Sequence, residues 1–538
     1  MSPSISHSYI VYLGSHSFGP NPSSFDVEAV TNSHYDLLGS YVGSTEKAKE
    51  AIFYSYNRYI NGFAAVLDED EAVEIAKNPK VVSVFLNKEQ KLHTTHSWDF
   101  LGLVGNGVFP QASIWRKTLG EDVIIGNIDT GVWPESKSFS DEGIGPIPKQ
   151  WRGICQTHIN NTQDKFQCNR KLIGARFFYK GYEAFMGEKM NASMISARDE
   201  EGHGSHTLST AGGSFVGGAS VLGFGNGTAS GGSPKARVAT YKACWPPITV
   251  FGGGCLDADL LAAIEAAISD GVHVLSMSLG SDAPPEYFQS AISIGTFHAV
   301  ANGIIVVGSG GNSGPFPGTV TNNEPWMLTV AASTIDRDFA NFVTLGNKKI
   351  FKGASLSEYG LPSTKMYPLI GGVDAKAINA SLEEALNCLD GTLDPEKVKG
   401  KILLCLGGGS ADKGVLAASV GAVGMILAND KSSWNQISAD PHVLPASNVD
   451  FENGNDIYSY INSTKSPLAY ISRVKTELGV KPAPFVASFS SRGPNLLEPA
   501  ILKPDVTAPG VNIIAAYSEA ISPTGLESDK RRTPYIAR

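Results

Sequence analysis

Asp129, His203 and Asn312 are the residues of this chain whose type and setting suit chemistry. Asp129 follows directly on an apolar run in IIGNIDTGVWPES, and a carboxylate at the carboxyl end of a parallel strand lies where open α/β sheets place their sites. A loop-capping aspartate is the ordinary alternative. His203 and His206 stand in RDEEGHGSHTLST, where glycine on both sides of His203 lets the backbone come close to a neighbour and the Ser/Thr-rich sequel suits a helix start. Most isolated histidines are structural, but a Gly-His-Gly-Ser-His setting is not typical of a core position. The i, i+3 spacing admits a metal pair, yet no Glu or third ligand follows at zinc-like spacing, so no metal and no other cofactor is expected. Asn312 lies in IIVVGSGGNSGP, again just after an apolar strand. An amide there can donate to a developing oxyanion, an interaction worth about 3 kcal/mol where such a donor has been removed from an enzyme. An Asn-Ser-Gly turn is the alternative.

The elements that must position these residues read as three blocks. Residues 8–13 form a strand pattern, a helical stretch follows around 27–39, and strand-like runs at 52–58 and 63–67 flank a turn containing Asn61-Gly62. Asp68 can cap a short helix with Ala72, Ile75 and Ala76 on one face, before a strand at 81–86. That order, β-α-β-β-α-β, predicts an α+β, ferredoxin-like module of about 80 residues. From about 121 the pattern changes. Residues 123–128 are almost continuously apolar, as in a strand buried on both faces of a parallel sheet, and 238–241 look similar. Residues 257–270 carry Leu260, Leu261, Ile264 and Ile268 at helical spacing, followed by strand 272–277, helix 286–302 and strand 304–307. Two successive β-α-β crossovers predict an α/β fold with a doubly wound, mainly parallel sheet. A third region, 351–477, has its own strands at 401–406 and 424–428 and a helix at 413–420, and reads as an insertion.

Composition narrows the partners. With 43 Lys+Arg against 52 Asp+Glu, a formal charge of −9 and no basic block, the chain lacks the footprint that nucleic acid requires. No run approaches the roughly 18 apolar residues of a membrane helix, so no membrane association is expected. The N-terminus has no basic start followed by an apolar stretch, and no signal peptide is visible. The six cysteines fall into local pairs, Cys155/Cys168, Cys244/Cys255 and Cys388/Cys405, which suit disulfides in an oxidising compartment; six buried thiols are the alternative. Sequons at Asn160, Asn191, Asn226, Asn379 and Asn462 point the same way, toward a glycoprotein. An acid protease built on the Asp-Thr-Gly at 129–131 would need two such triplets or a dimer, and a single copy occurs.

The segments IIGNIDTGVWPES, GHGSHTLSTAGG and VVGSGGNSGP, in that order, closely resemble the subtilisin-like serine proteases of the plant subtilase type. The resemblance covers nearly the whole chain and extends to WRGICQ, CNRKLIGAR, SSRGPN and KPDVTAPGV. It implies that Asp129 orients and stabilises the imidazole, that His203 is the general base and that Asn312 is the oxyanion donor. It further implies that Ser278, Leu279 and Gly280 pair with an extended polypeptide substrate and that Gly308, Ser309, Gly310 and Gly311 form the opposite wall of the specificity pocket. By the same resemblance, 8–93 is an inhibitor-type propeptide acting as an intramolecular inhibitor, with processing between His93 and Thr94. Residues 94–350 and 478–538 are then the two parts of the peptidase domain, and 351–477 is a protease-associated domain. The resemblance also strengthens the three cysteine pairs as disulfides, implies an extracellular location in the apoplast or cell wall, and admits a homodimer through the inserted domain.

One motif of the family is not found. Its nucleophile lies in Gly-Thr-Ser-Met a few tens of residues after KPDVTAPG, and no Gly-Thr-Ser-Met occurs among these 538 residues. Ser309 and Ser313 read as turn residues beside Asn312. The expectation is a serine endopeptidase precursor truncated before its catalytic serine, inactive as written, with apolar surface exposed where the following helix would pack. The alternative is a non-catalytic pseudoprotease, or an inhibitor or interaction protein.

Overall fold

Apolar residues at alternate strand positions organise the first unit, Met1–Lys91. In the computed structural model, which describes residues 6–14, 17–18, 23–57, 61–86, 96–103, 114–156, 165–246, 254–281, 283–362, 365–408, 411–431, 433 and 437–538, Val11, Phe63, Ala65 and Leu67 share a core with Leu38 and Ile75. Strand Ser6–Gly14 lies between Asn61–Asp68 and Ser83–Leu86, antiparallel to both, and Ile52–Tyr56 pairs outside Asn61–Asp68. Helix Ser24–Val42 starts on a capping box in which Ser23 and Asp26 satisfy each other's backbone N–H. The expected module is present with one addition, a short helix Thr45–Ala51, and with Ala76 turned to solvent while Ala72 and Ile75 are buried.

Among the described residues, the second unit, Leu92–Arg538, is built on two large sheets, together with two two-stranded ones. The first has seven strands, in the spatial order Leu172–Phe177, Arg237–Lys242, Ile124–Asp129, Val274–Met277, Ile305–Ser309, Leu328–Ser333 and Val506–Pro509. Every pairing is parallel. From Ile124–Asp129 the chain goes to the edge strand Leu172–Phe177, returns to Arg237–Lys242 and then crosses to Val274–Met277, from which successive strands run outward the other way, so the switch point of the sheet lies at Ile124–Asp129, with Asp129 at its carboxyl end. Helices Asp257–Asp270 and Ala291–Ala301 bury Leu260, Ala263, Ile264 and Ala299 against Ile124, Ile128, Leu275 and Val306 on one face. Helix His203–Gly212 packs on the other. Three strands of this sheet, Leu172–Phe177, Leu328–Ser333 and Val506–Pro509, were not expected from the sequence, because small or polar residues interrupt their apolar runs.

The expectation of strands buried on both faces holds for Ile124–Asp129 and for Arg237–Lys242, every residue of which is buried, whereas the sheet is less completely covered toward the Val506–Pro509 edge. Val306, Gly308, Thr329 and Ala331 are buried, whereas Ile305, Leu328 and Val506 are 60%, 41% and 47% exposed. The paired registers put those three on one face together with Val307, Val330 and Ala508. Helix His203–Gly212 covers only the Ile124–Asp129 side of that face.

The second sheet has eight strands between Arg337–Leu345 and Lys475–Leu478 and its own core of Val343, Leu369, Ile402, Leu404, Ile426, Val449, Ile457 and Ile471. It takes in Arg337–Leu345, which precedes the expected boundary at 351, because that strand pairs with Ile350–Ala354, Leu468–Ile471 and Lys475–Leu478 at once. Three disulfides are formed, Cys155–Cys168, Cys244–Cys255 and Cys388–Cys405. No helix among the described residues is long and apolar enough to cross a membrane.

Candidate active site

The Ile124–Asp129 strand delivers Asp129 to the sheet's carboxyl edge, where its carboxylate is 2% exposed and fully engaged. Oδ1 accepts from His203 Nδ1 at 2.7 Å and from the Thr130 backbone N–H at 2.7 Å, and Oδ2 accepts from Thr207 Oγ1 at 3.0 Å. Thr207 lies one turn after His203 on the same helix and itself accepts from Asn127 Nδ2 at 3.0 Å. Burial of an ionised carboxylate is tolerated only with such partners. Thr130, Thr207 and Asn127 were not singled out in the sequence. The i, i+4 spacing of His203 and Thr207 and the i, i+2 spacing of Asn127 and Asp129 along a strand were the available signals.

His203 is the first residue of its helix, and two glycines make that position accessible. Gly202 caps the helix with φ +101°, and a Cβ there would meet the Tyr517 ring at 2.1 Å. A Cβ on Gly204 would lie 2.3 Å from the Gly131 carbonyl, so glycine allows the helix start to close on the strand end that carries Asp129. The Asp129 carboxylate raises the imidazole from the ordinary 6.5 to about 9, against the opposing effect of burial and with help from the shared hydrogen bond. With Nδ1 used by Asp129, Nε2 has no hydrogen-bond partner among the described residues, and His203 lines a cavity of about 540 Å³. His206 does something different. Its Nε2 donates to the Ile513 carbonyl at 2.8 Å, and burial pushes its pKa down to about 4, leaving a neutral imidazole that ties the helix to the segment before strand Ile514–Ala516.

The same cavity is lined by Asn312, Ser278, Gly308, Ser309, Gly310 and Gly311, with Arg538 beside His203. Asn312 is exposed, and its side-chain amide makes no hydrogen bond among the described residues, which leaves a donor available at the cavity wall. Leu279 and Gly280 continue from the Val274–Met277 strand past Ser278 and lie outside the cavity lining, and the Leu279 carbonyl accepts from Asn322 Nδ2 at 2.8 Å. Ser313, by contrast, is drawn away by its backbone N–H, which donates to Ser491 Oγ at 3.0 Å. His93 and Thr94 lie outside the described residues, as does the Asn160 sequon. Asn191, Asn226, Asn379 and Asn462 are exposed. No group of three or more metal-ligating side chains occurs among the described residues.

A buried carboxylate paired with an imidazole, whose second nitrogen faces a cavity alongside a free amide and two glycine-rich strand ends, can take a proton from a nucleophile and stabilise the charge that develops. Comparison with known proteins agrees with that chemistry. The profile of the Subtilase family matches residues 120–536 and that of the Peptidase inhibitor I9 family residues 8–93. Subtilisin-like protease SBT5.4 of Arabidopsis thaliana is 60% identical over 531 residues, covering 98% of this chain and 67% of the relative. Subtilisin-like protease SBT5.3 of the same plant is 56% identical, covering 99% of this chain and 68% of the relative. Subtilisin-like protease Glyma18g48580 of Glycine max is 53% identical, covering 97% and 68%. The chain spans about two thirds of the length of these relatives, and identity at this level over almost its whole extent is decisive: it belongs to the subtilase family, the subtilisin-like serine peptidases.

Proposed function

We propose that this chain is the precursor form of a subtilisin-like endopeptidase body that binds extended polypeptides, and that the 538-residue polypeptide itself does not hydrolyse them. The observation that carries the reading is the Asp129–His203 bond at the switch point, opening on a cavity shared with Asn312, Ser278 and the strand end at 308–311. In this assignment Asp129 fixes the imidazole's orientation and stabilises its cation, His203 takes and returns the proton, and Asn312 donates to the oxyanion. The two strand ends pair with the substrate backbone as added edges would. Inactivity is supported by His203 Nε2, which no serine hydroxyl approaches within hydrogen-bonding distance among the described residues. Three disulfides with no free cysteine support an extracellular location, and the separate core that gathers most of its residues from 351–477 supports reading that segment as a protease-associated domain.

The test is the purified 538-residue polypeptide, incubated with a serine-directed fluorophosphonate probe and with fluorogenic peptides. No covalent labelling and no turnover are expected, and the intact mass should retain the 8–93 segment. Labelling accompanied by peptide cleavage would overturn the inactivity. A second reading, inhibition of another protease by the first unit, is favoured by that unit's own core around Val11, Leu38 and Phe63. It requires that adding the 538-residue polypeptide slow an active subtilisin-like protease in a saturable way.

A further inference from the structure

The two strands that frame the cavity stop pairing just before they reach it. Val274–Met277 and Ile305–Ser309 run in parallel register from Val274↔Ile305 to Met277↔Gly308, where their ladder ends. Beyond that point the segments that line the cavity would be free to part. They are instead joined by a side chain from a third segment. Asn322 donates both hydrogens of its amide, one to the Leu279 carbonyl at 2.8 Å and one to the Ser309 carbonyl at 2.8 Å. Its side chain replaces the next rung of the ladder and fixes the gap between the two backbones.

Three further features fit this use and no other evident one. Asn322 is 6% exposed and adopts φ +49°, the left-handed region that asparagine tolerates better than other side chains. Its own carbonyl accepts from Thr329 Oγ1, and the preceding Thr321 N–H donates to the Gly310 carbonyl at 2.9 Å, so the clip is anchored to the neighbouring strand. Glycine stands on both walls where the clip passes. A Cβ on Gly280 would sit 3.1 Å from Asn322 Nδ2, and one on Gly308 would sit 3.3 Å from Asn322 Cβ.

We propose that Asn322 is a positioning residue that sets the width of the cleft between Ser278–Gly280 and Gly308–Gly311, and thereby selects which substrate side chain enters between them. The clip stands on hydrogen bonds alone, whereas its consequence for selection rests on reading the cavity as the peptide cleft. An amide with two donated hydrogens holds two carbonyls at one spacing, and no other short side chain does so: aspartate has no donor when ionised, and alanine or glycine has no polar atom. Loss of the clip lets the walls breathe, so side chains of different size are admitted on more equal terms.

The experiment compares the 538-residue polypeptide with Asn322→Gly, which keeps the positive φ without strain and removes only the amide, and with Gly280→Ala, which keeps the amide and crowds it. Hydrogen exchange followed by mass spectrometry reads the clip. Peptides covering 278–281 and 308–312 should exchange about tenfold faster in Asn322→Gly, the equivalent of one net hydrogen bond or slightly more. The Ile124–Asp129 strand should be unchanged. Selection is read by fluorescence anisotropy with labelled extended peptides that differ at one residue, from Gly through Leu to Phe. Both variants should compress the spread of affinities several-fold while the mean affinity moves much less. Unchanged exchange at 278–281 and 308–312 would overturn the clip. Faster exchange with every peptide weakened by the same factor would overturn its role in selection and leave it merely structural. Faster exchange with no peptide bound by either protein would overturn the cleft reading instead.

Discussion

At the scale of single residues, Asp129 decides the state of His203. The carboxylate holds the imidazole's pKa at about 9, above its ordinary 6.5, so the folded chain binds a proton there that the unfolded chain releases sooner. The sign follows. Stability from this pair is fully present below about pH 6.5 and is lost as pH rises through about 9. His203 is 38% exposed, and solvent screening keeps the effect modest. Asp129→Asn should bring the imidazole back toward 6.5 in an NMR titration and flatten the decline of the urea midpoint between pH 6.5 and 9. An Asp129→Asn protein whose His203 still titrates near 9 would mean that another group sets the charge. The sequence made Asp129, His203 and Asn312 legible because each stands beside an element end marked by glycine or by an apolar run. It did not make Thr207 legible, because a threonine in a Ser/Thr-rich helix start looks like any cap. Only the fold turns it toward Asp129.

At the scale of elements, the parallel sheet is unevenly covered. Strand alternation buries Val306 and Ala331 and leaves Ile305, Leu328 and Val506 in solvent on the opposite face, next to the cavity that holds His203. In sequence, the run IIVV at 304–307 reads as an apolar strand, and periodicity does not tell whether a helix lies on each of its faces. Contiguous apolar surface of this kind promotes association. The 538-residue polypeptide should therefore bind a hydrophobic dye and self-associate with rising concentration. Replacing Ile305, Leu328 and Val506 together by threonine, which keeps the β-branched shape favoured in strands, should reduce both with little loss of folding. Unaltered dye binding in that triple variant would place the exposed apolar surface elsewhere.

At the scale of the whole molecule, the question is whether the two large sheets of the second unit unfold together. They have separate cores, one around Ile124, Leu275 and Val306 and one around Leu369, Ile402 and Ile426, but Arg337–Leu345 follows the first sheet's Leu328–Ser333 almost directly and pairs on both edges of the second. That is why the sequence shows a change of rhythm near 351 but not the strand at which the second sheet starts: a strand that opens a new sheet looks the same as one that closes the old. The disulfides provide the means to decide. Each joins residues only 11 to 17 apart, and Cys388–Cys405 lies on the other face of the second sheet, in a cluster with Leu403, Met425 and Leu427. Closing a loop of that size removes unfolded-state entropy worth about 3 kcal/mol, and it stabilises only the cooperative unit that contains both ends. Cys388→Ala/Cys405→Ala should therefore speed hydrogen exchange in Ile402–Cys405 and Gly424–Ala428 by roughly 100-fold, the same energy expressed as a rate ratio, and leave Ile124–Asp129 at its original rate. Equal acceleration in both sheets would show that the unit melts as one body, with the Arg337–Leu345 strand transmitting the loss.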